Sequence, residues 1–413
     1  MDWWTQEPIF QELAERLDPV AAVDNHTHLL WRGPFRPELD AGMPLGLRST
    51  EPAYAAALTE RFGVVVGRGG IVAAAEEAGR VRDQQVEQLG AAGYWHHHLD
   101  AIGTEVALVN QEAEDGADGK RLRWVPMASC LLYPLPAPAM AARSPQAAQD
   151  VAALQGELRR HLAGAGLAEV PADLDAYRAV LVRVLAGWAA RGAVAVKFLD
   201  AYLRTIRYQD VPADQARALY ARGVTGELSR EEYLAVQDHL ARHLFLEAGR
   251  LGLAVHIHSS HGVPPFLRAE DADVRNLEPV LTDVRYFGTQ FVLIHGGAPL
   301  VEDAAYLALK PHVWVDISAQ PFLYAVPELA ANLRMYLRYA PEKVLFGTDV
   351  APYPGVPGGP EVQHVALSAK TRAALHLALA GMVRDGVVDP EAAVRMGEGV
   401  LRGNAGRLYG LER

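Results

Sequence analysis

The chain has 413 residues, of which half are apolar and 22% are charged, and its formal net charge is -11. This composition is typical of a globular protein, and the negative charge argues against nucleic acid or an anionic membrane as the main partner. Cys130 is the only cysteine, which rules out an intrachain disulfide and predicts a cytoplasmic location. The first residues have no signal-peptide pattern, and no apolar run approaches the length of a membrane span.

Eight short apolar runs, each ending in a polar or glycine-rich turn, are predicted to be strands. In chain order they are residues 20–28, 105–110, 123–129, 192–198, 253–259, 291–297, 313–318 and 344–349. Most are nearly continuous in Val, Leu, Ile and Ala, as expected of strands that are buried on both faces. Amphipathic helical patterns lie between the later runs, for example at 327–340 and 371–383. Strands that alternate with helices eight times predict an α/β fold, the (β/α)8 TIM barrel.

The spacing between the predicted strands is uneven. Residues 29–104, 130–191 and 199–251 are too long for plain connections, so we expect helical insertions above the C-terminal rim of the barrel. No internal repeat, low-complexity tail or linker marks a second domain. The chain is therefore predicted to be a single domain over residues 1–413.

Residues suited to metal binding stand where several predicted strands end. They are His26, His28, Lys197, His256, His258, His295 and Asp349. Side chains of a strand repeat every second residue, so His26 and His28 should face the same way. Nitrogen and oxygen ligands that converge on the C-terminal ends of barrel strands are typical of a divalent transition-metal site. Asp316 and Ser318 end the seventh run and could orient a ligand.

The pattern of HxH on the first strand, Lys on the fourth, His on the fifth and sixth and Asp on the eighth resembles the amidohydrolase superfamily. Within it the chain resembles the amidohydrolase-related group that includes the domain fused to glutamine-synthetase-like proteins. In that group Tyr and Arg follow the fourth-strand Lys, and "KFLDAYLR" supplies Lys197, Tyr202 and Arg204 here. The fifth strand of the group reads Gln-Ile-His, so the resemblance gives the ligand role to His258 rather than to His256.

The resemblance implies one or two divalent ions, with Zn favoured and Mn or Fe as alternatives. The implied ligands are His26, His28, Lys197, His258, His295 and Asp349. Asp349 and His295 are the predicted catalytic residues, Asp349 as the proton carrier and His295 as a group that helps to polarise a carbonyl. Tyr202, Arg204 and His261 are predicted to bind the substrate. Lys197 is either a carbamate that bridges two metals or an ordinary lysine beside a single one.

The predicted function is hydrolysis of an amide, lactam or related C–N bond in a small molecule, by water activated on the metal. Two alternatives stay open: nonoxidative decarboxylation of an aromatic or unsaturated acid at the same rim, and a non-catalytic binding barrel. Apart from a small-molecule substrate, the predicted partner is a second copy of the chain in a homodimer. The three histidines of "YWHHHLD" at 94–100 precede the second strand, at the opposite end of the barrel, and are predicted to be structural.

Overall fold

The computed structural model describes residues 3–30, 52–68, 70–111, 114–260, 267–352 and 359–411. Its strands are β1 (Ala22–Thr27), β2 (Thr104–Gln111), β3 (Leu122–Pro126), β4 (Ala195–Phe198), β5 (Ala254–His258), β6 (Phe291–Ile294), β7 (Val313–Asp316) and β8 (Val344–Leu345). They form two parallel sheets, of order β1-β2-β3 and β4-β5-β6-β7-β8. Each predicted strand is present, and the predicted α/β class is confirmed.

The helices follow and flank the strands. They are α1 (Pro8–Leu17), α2 (Pro52–Phe62), α3 (Gly70–Ala101), α4 (Pro138–Ala141), α5 (Pro145–Gly164), α6 (Leu174–Ala190), α7 (Ala213–Thr225), α8 (Arg230–Arg250), α9 (Glu278–Leu281), α10 (Val301–Leu307), α11 (Gln320–Leu323), α12 (Val326–Tyr339), α13 (Gly359–Arg384), α14 (Pro390–Glu398) and α15 (Asn404–Tyr409). The two helical patterns named above lie in α12 and α13. Among the described helices, none is both long and apolar enough to cross a membrane.

The predicted insertions are helical where they are described. The first contains α2 and α3, the second α4 to α6, and the third α7 and α8. Two of these helices begin with a side chain that satisfies free N–H groups of the first turn. Ser144 accepts a hydrogen bond from the N–H of Ala147 at the start of α5, and Ser229 forms a capping box with Glu232 at the start of α8. These local signals explain why the long connections fold as helices rather than as irregular loops.

One apolar cluster receives side chains from alternate positions of all eight strands. Its strand members are Val23, Val106, Leu108, Val125, Ala195, Ala254, Val292, Ile294, Trp314 and Leu345. The intervening residues of β2, Ala107 and Val109, pack instead in a cluster that includes residues of α2 and α3. Side chains two positions apart on a strand face the same side. Lys197 lies two positions after Ala195 and His256 two positions after Ala254, so both face the same side as this apolar cluster.

Backbone hydrogen bonds join the edges of the two sheets. At one edge Met127, directly after β3, forms a parallel bridge with Lys197 of β4. At the other edge β1 pairs with the segment that follows β8: Asn25 N–H donates to the carbonyl of Phe346 at 2.9 Å, and His28 N–H to that of Val350 at 2.7 Å. These bonds satisfy strand edges that would otherwise be exposed.

The eighth strand is shorter than predicted, with only Val344 and Leu345 in regular pairing. The residues after it bond to β1 in an irregular register, and Gly347 lies against the carboxylate of Asp316 so closely that a Cβ would clash with it. The close approach explains the glycine.

Candidate metal centre

His26, His28 and Asp349 form the centre of the candidate site. Nε2 of His26 lies 3.1 Å from Oδ1 of Asp349, and Nε2 of His28 lies 3.5 Å from the same oxygen. One potential ligand atom from each of the three residues lies within 4.8 Å of the others. Both imidazoles are neutral at pH 7, because burial holds the pKa of His26 well below its usual value and lowers that of His28 to about 4. Neutral imidazoles and a carboxylate are suitable ligands for a divalent metal.

The orientation of His28 is fixed by the end of β2. Nδ1 of His28 lies 3.0 Å from the backbone carbonyl of Asn110, which can only accept a hydrogen bond. Nδ1 therefore carries the proton, and Nε2, which faces Asp349, keeps its lone pair. A second contact that fixes the tautomer in this way is usual for a metal-binding histidine.

His295 is oriented by β7 in a similar way. Its Nδ1 lies 3.1 Å from the carbonyl and 3.0 Å from the hydroxyl of Ser318. The Ser318 hydroxyl donates to the carboxylate of Asp316, so its oxygen accepts the Nδ1 proton. Nε2 of His295 therefore carries a lone pair, which suits a metal ligand or a proton acceptor better than a donor to a carbonyl.

His258 completes the group of rings. Its ring centroid lies 4.7 Å from that of His295, which in turn lies 5.2 Å from that of His26. Nε2 of His258 lies 3.1 Å from the carbonyl of Ser260, and its buried Nδ1 has no hydrogen-bond partner among the described residues. The predicted histidine ligands are thus gathered from β1, β5 and the end of β6.

Lys197 is fully buried beside this group, and its Nζ has no hydrogen-bond partner within the described part of the chain. Burial lowers its pKa to about 7, although the carboxylate of Asp349 acts in the opposite direction. Burial likewise raises the pKa of Asp349 to about 8, against the effect of Lys197. The amine and the carboxyl group are therefore electrostatically linked, as expected for a charged pair removed from water.

Two residues of the site have a left-handed backbone. The φ angle is 70° at His295 and 58° at Asp349, a region that residues other than glycine seldom occupy. Such a conformation costs about 1–3 kcal/mol and is held only where surrounding contacts fix it. Here the N–H of Asp349 donates to the carbonyl of His26 at 2.7 Å, a bond that holds the turn and brings the carboxylate to the histidines.

The predicted substrate-binding residues have different surroundings. The ring of Tyr202 lies beside that of His258, with centroids 4.9 Å apart, so this tyrosine is at the site. Arg204 is fully buried and ion-paired with Asp238 of α8, and its Nε donates to the carbonyl of Thr205 at 2.9 Å. The structure does not bring its guanidinium to the histidines. His261 lies outside the described residues.

His256 contacts a residue near the C-terminal end of the chain. Its Nε2 lies 2.7 Å from the hydroxyl of Tyr409, which donates to Asn25, and Asn25 donates to Asp316 at 2.8 Å. This chain links the interior of β5 to β1 and β7. The position of Tyr409 near the C-terminal end of the chain gave no sign of its place beside β5.

The sequence analysis also missed a buried contact chain behind β1. Asp24 accepts from the hydroxyl of Thr348 at 2.6 Å, and its Oδ2 lies 3.0 Å from Nε2 of His364 on α13. Nδ1 of His364 is 3.2 Å from Nε2 of His98, the last histidine of the "HHH" run. His98 and His364 are fully buried, and they connect the helices α3 and α13 to the strand that carries His26 and His28.

Asn110 is a further residue that the sequence analysis did not identify. It has the inner-face parity of Leu108, is fully buried, and both polar atoms of its side chain lack a hydrogen-bond partner among the described residues. A buried amide without partners is costly unless something else satisfies it. Its place at the carboxyl end of β2, beside His28, makes it a candidate for contact with a bound molecule.

The residues present fit a divalent metal. Nε2 of His26 and Nε2 of His28 both face the carboxylate of Asp349. Nδ1 of His295 is engaged by Ser318, so its Nε2 lone pair is free to face the same region. Lys197 Nζ and His258 Nδ1, which have no hydrogen-bond partner among the described residues, would be satisfied by an ion or by its ligands. Such borderline nitrogen and oxygen donors suit zinc, manganese or iron.

Comparison with known proteins agrees with this description. A family model, "Amidohydrolase", matches residues 95–411, well over half of the chain, and the chain therefore belongs to the amidohydrolase family. It is thus a member of the amidohydrolase superfamily with a metal-dependent hydrolase type of fold. No curated protein sequence matches the chain significantly.

Solved structures share the fold at low sequence identity. A "putative metal-dependent hydrolase" from Lactobacillus casei has a TM-score of 0.61 and 16% identity, with 96% of this chain and 97% of the other covered. Uronate isomerase from Thermotoga maritima has a TM-score of 0.58 and 14% identity, with 97% of each chain covered. Glucuronate isomerase from Caulobacter crescentus has a TM-score of 0.56 and 14% identity, with 99% of this chain and 96% of the other covered. The fold is therefore shared by proteins with different activities.

Proposed function

We propose that the protein is a metal-dependent hydrolase that cleaves an amide, lactam or related C–N bond of a small molecule. The observation that carries the proposal is the convergence of Nε2 of His26 and Nε2 of His28 on one oxygen of Asp349, at 3.1 and 3.5 Å. Two neutral imidazoles with a carboxylate between them form a metal-binding set that also includes a proton carrier.

The proposed site lies at one end of a closed (β/α)8 barrel. Three observations support closure: the bridge from Met127 to Lys197, the backbone bonds between β1 and the segment after β8, and the apolar cluster shared by all eight strands. In such barrels, residues at the carboxyl ends of the strands perform the chemistry. His28, His258 and Asp349 are all at or just beyond those ends.

The residues have separate roles in this proposal. A bound divalent ion would supply Lewis acidity and lower the pKa of water. His26, His28, His258 and His295 would hold it, and the contact of His28 with the carbonyl of Asn110 sets the tautomer of that ring. Asp349 accepts a proton from the attacking water through Oδ2, because Oδ1 faces the two histidines, and delivers it to the leaving nitrogen.

Substrate recognition is assigned to residues that border the histidines. Tyr202 lies beside His258, and Asn110 offers a buried amide that can both donate and accept. Arg204 is assigned to the fold rather than to the substrate, because Asp238 occupies its guanidinium. These contacts favour a small polar molecule over a long apolar one.

The proposal is tested with purified protein loaded with zinc, manganese or iron and incubated with a panel of amides and lactams. We expect release of an amine or ammonia, loss of activity on chelation, and recovery when metal is added back. Replacing His26 and His28 with alanine should remove that activity, whereas His97→Ala, an exposed histidine, serves as the matched control.

Other outcomes would assign the site differently. Release of carbon dioxide from aromatic or unsaturated acids, without amide cleavage, would indicate that the protein is a decarboxylase rather than a hydrolase. Interconversion of uronates would indicate an isomerase instead. A metal-loaded protein with none of these activities on broad panels would favour a binding barrel, and full turnover without metal would overturn the proposal.

A further inference from the structure

A second group of metal-ligand residues lies apart from the histidines of the strand ends. It consists of Cys130, Glu157 and His161, and one ligand atom of each lies within 4.8 Å of the others. Nε2 of His161 is 3.6 Å from Oε1 of Glu157. Cys130 is fully buried, Glu157 is 4% exposed, and the side chain of His161 is 15% exposed. The group is therefore largely removed from water, unlike the acidic clusters common on protein surfaces.

The fold brings these three residues together from two elements. Glu157 and His161 are four residues apart on α5, so their side chains project from the same face of the helix. Cys130 lies in the 3-10 turn Ala128–Leu132 that follows β3. The indole of Trp188 on α6 covers the imidazole of His161, with ring centroids 5.1 Å apart, and is itself buried. The aromatic cover limits the access of water to the group.

We propose that Cys130, Glu157 and His161 form a zinc site that fastens the inserted helix α5 to the turn after β3. A thiolate, a carboxylate and an imidazole are all recognised zinc ligands, and a water molecule can complete the tetrahedron. Tetrahedral ligands on zinc are separated by about 3.3–3.8 Å, as the bond lengths require. The separation of 3.6 Å between His161 and Glu157 already meets this condition.

The charge balance supports a divalent ion. With a metal bound, the Cys130 thiolate and the Glu157 carboxylate would contribute two negative charges to the group. A dication with a neutral imidazole brings the total to zero. Sγ of Cys130 lies 3.4 Å from the carbonyl oxygen of Met127, to which its S–H donates. A bound metal would displace this proton.

Cobalt(II) provides a direct test, because a thiolate bound to Co²⁺ gives an intense charge-transfer band in the near ultraviolet. Cys130 is the only cysteine, so such a band has only one possible source. The protein is first given the His26→Ala and His28→Ala substitutions to remove the site at the strand ends. We expect this variant to bind about one equivalent of Co²⁺ and to show the band.

Further variants test each ligand. In the same background, Cys130→Ser should abolish the band, and Glu157→Gln or His161→Gln should weaken Co²⁺ binding by at least about tenfold. His243→Gln, a partly buried histidine on α8, is the matched control and should change neither result. Zinc should raise the melting temperature of the background variant but not that of its His161→Gln derivative.

The outcome is independent of the proposed activity. A folded background variant with no thiolate band would overturn the second site, as would a band that keeps its strength and affinity in both Glu157→Gln and His161→Gln. If instead the wild-type protein shows no hydrolase activity while the band behaves as expected, only the proposed function fails.

Discussion

Asp349 and His26 are joined twice: Oδ1 of Asp349 lies 3.1 Å from Nε2 of His26, and the N–H of Asp349 donates to the carbonyl of His26 at 2.7 Å. The backbone bond therefore holds the two residues together independently of the contact between their side chains. The backbone bond fixes the left-handed turn at Asp349 and with it the direction of the carboxylate. A site held by backbone bonds is organised before any ligand arrives.

The first prediction concerns Asp349 as proton carrier. Asp349→Asn keeps the size of the side chain but removes the group that accepts a proton, so turnover should fall by about two to four orders of magnitude. Initial rates are measured on protein whose metal content has been determined by elemental analysis. Asp214→Asn is the control, because the side chain of Asp214 is 98% exposed. Near-normal rates in metal-loaded Asp349→Asn would exclude the role.

The second prediction concerns the state of Lys197. The buried amine has no hydrogen-bond partner among the described residues, so reaction with carbon dioxide would convert it into a carboxylate-bearing ligand. We expect bicarbonate during metal loading to raise the content from about one ion to about two per chain in the wild type. Lys197→Met should stay at the lower value. Equal metal content with and without bicarbonate would instead support an ordinary lysine beside a single metal.

The third prediction separates a structural from a substrate-binding role of Arg204. Arg204→Met leaves the buried carboxylate of Asp238 without its partner, so the free energy of unfolding should fall by about 3–5 kcal/mol. Urea unfolding measures the change. The exposed Arg217 pairs with Asp175 and Asp214 at the surface, and Arg217→Met should leave the free energy of unfolding nearly unchanged. Unchanged stability with a raised KM would restore the substrate role.

The fourth prediction is a pH dependence of stability. Burial lowers the pKa of His243 to about 4 in the folded protein, below its usual value of 6.5. Between these values the unfolded chain binds a proton that the folded protein does not, so this group lowers the free energy of unfolding as pH falls. His243→Gln should therefore lose less stability than the wild type between about pH 7 and pH 5.

The control for this comparison is His97→Gln, because His97 is exposed. Urea unfolding curves at both pH values, recorded on all three proteins under the same metal conditions, give the slopes. A wild-type slope in His243→Gln would contradict the assignment of the effect to this histidine.

Much of the candidate site followed from the sequence because parallel strands end at a common edge. His26, His28, His258, His295 and Asp349 stand at the ends of apolar runs, which needs no knowledge of helix packing. The choice of His258 over His256 came from the resemblance to the amidohydrolase superfamily. The shortness of β8 could not be foreseen, since it arises from irregular pairing with β1.

Arg204 and His98 show what local patterns lack. The partner of Arg204 is Asp238 on α8, and that of His98 is His364 on α13. Both contacts join residues far apart in the chain, and both depend on how helices settle against the strands. Of the three consecutive histidines at 96–98, only the last is buried. The packing of α3 determines which one is buried, and the sequence pattern does not indicate it.

The pairing of β1 with the segment after β8 has a consequence for the order of events during translation. His26 and His28 leave the ribosome before residues 346–350, which supply the carboxylate that the two histidines face and the backbone bonds that position it. A nascent chain that stops before β8 therefore has the two histidines but lacks this carboxylate. Under the proposed function, the complete set of ligands for an ion exists only after residues 346–350 are synthesised and pair with β1.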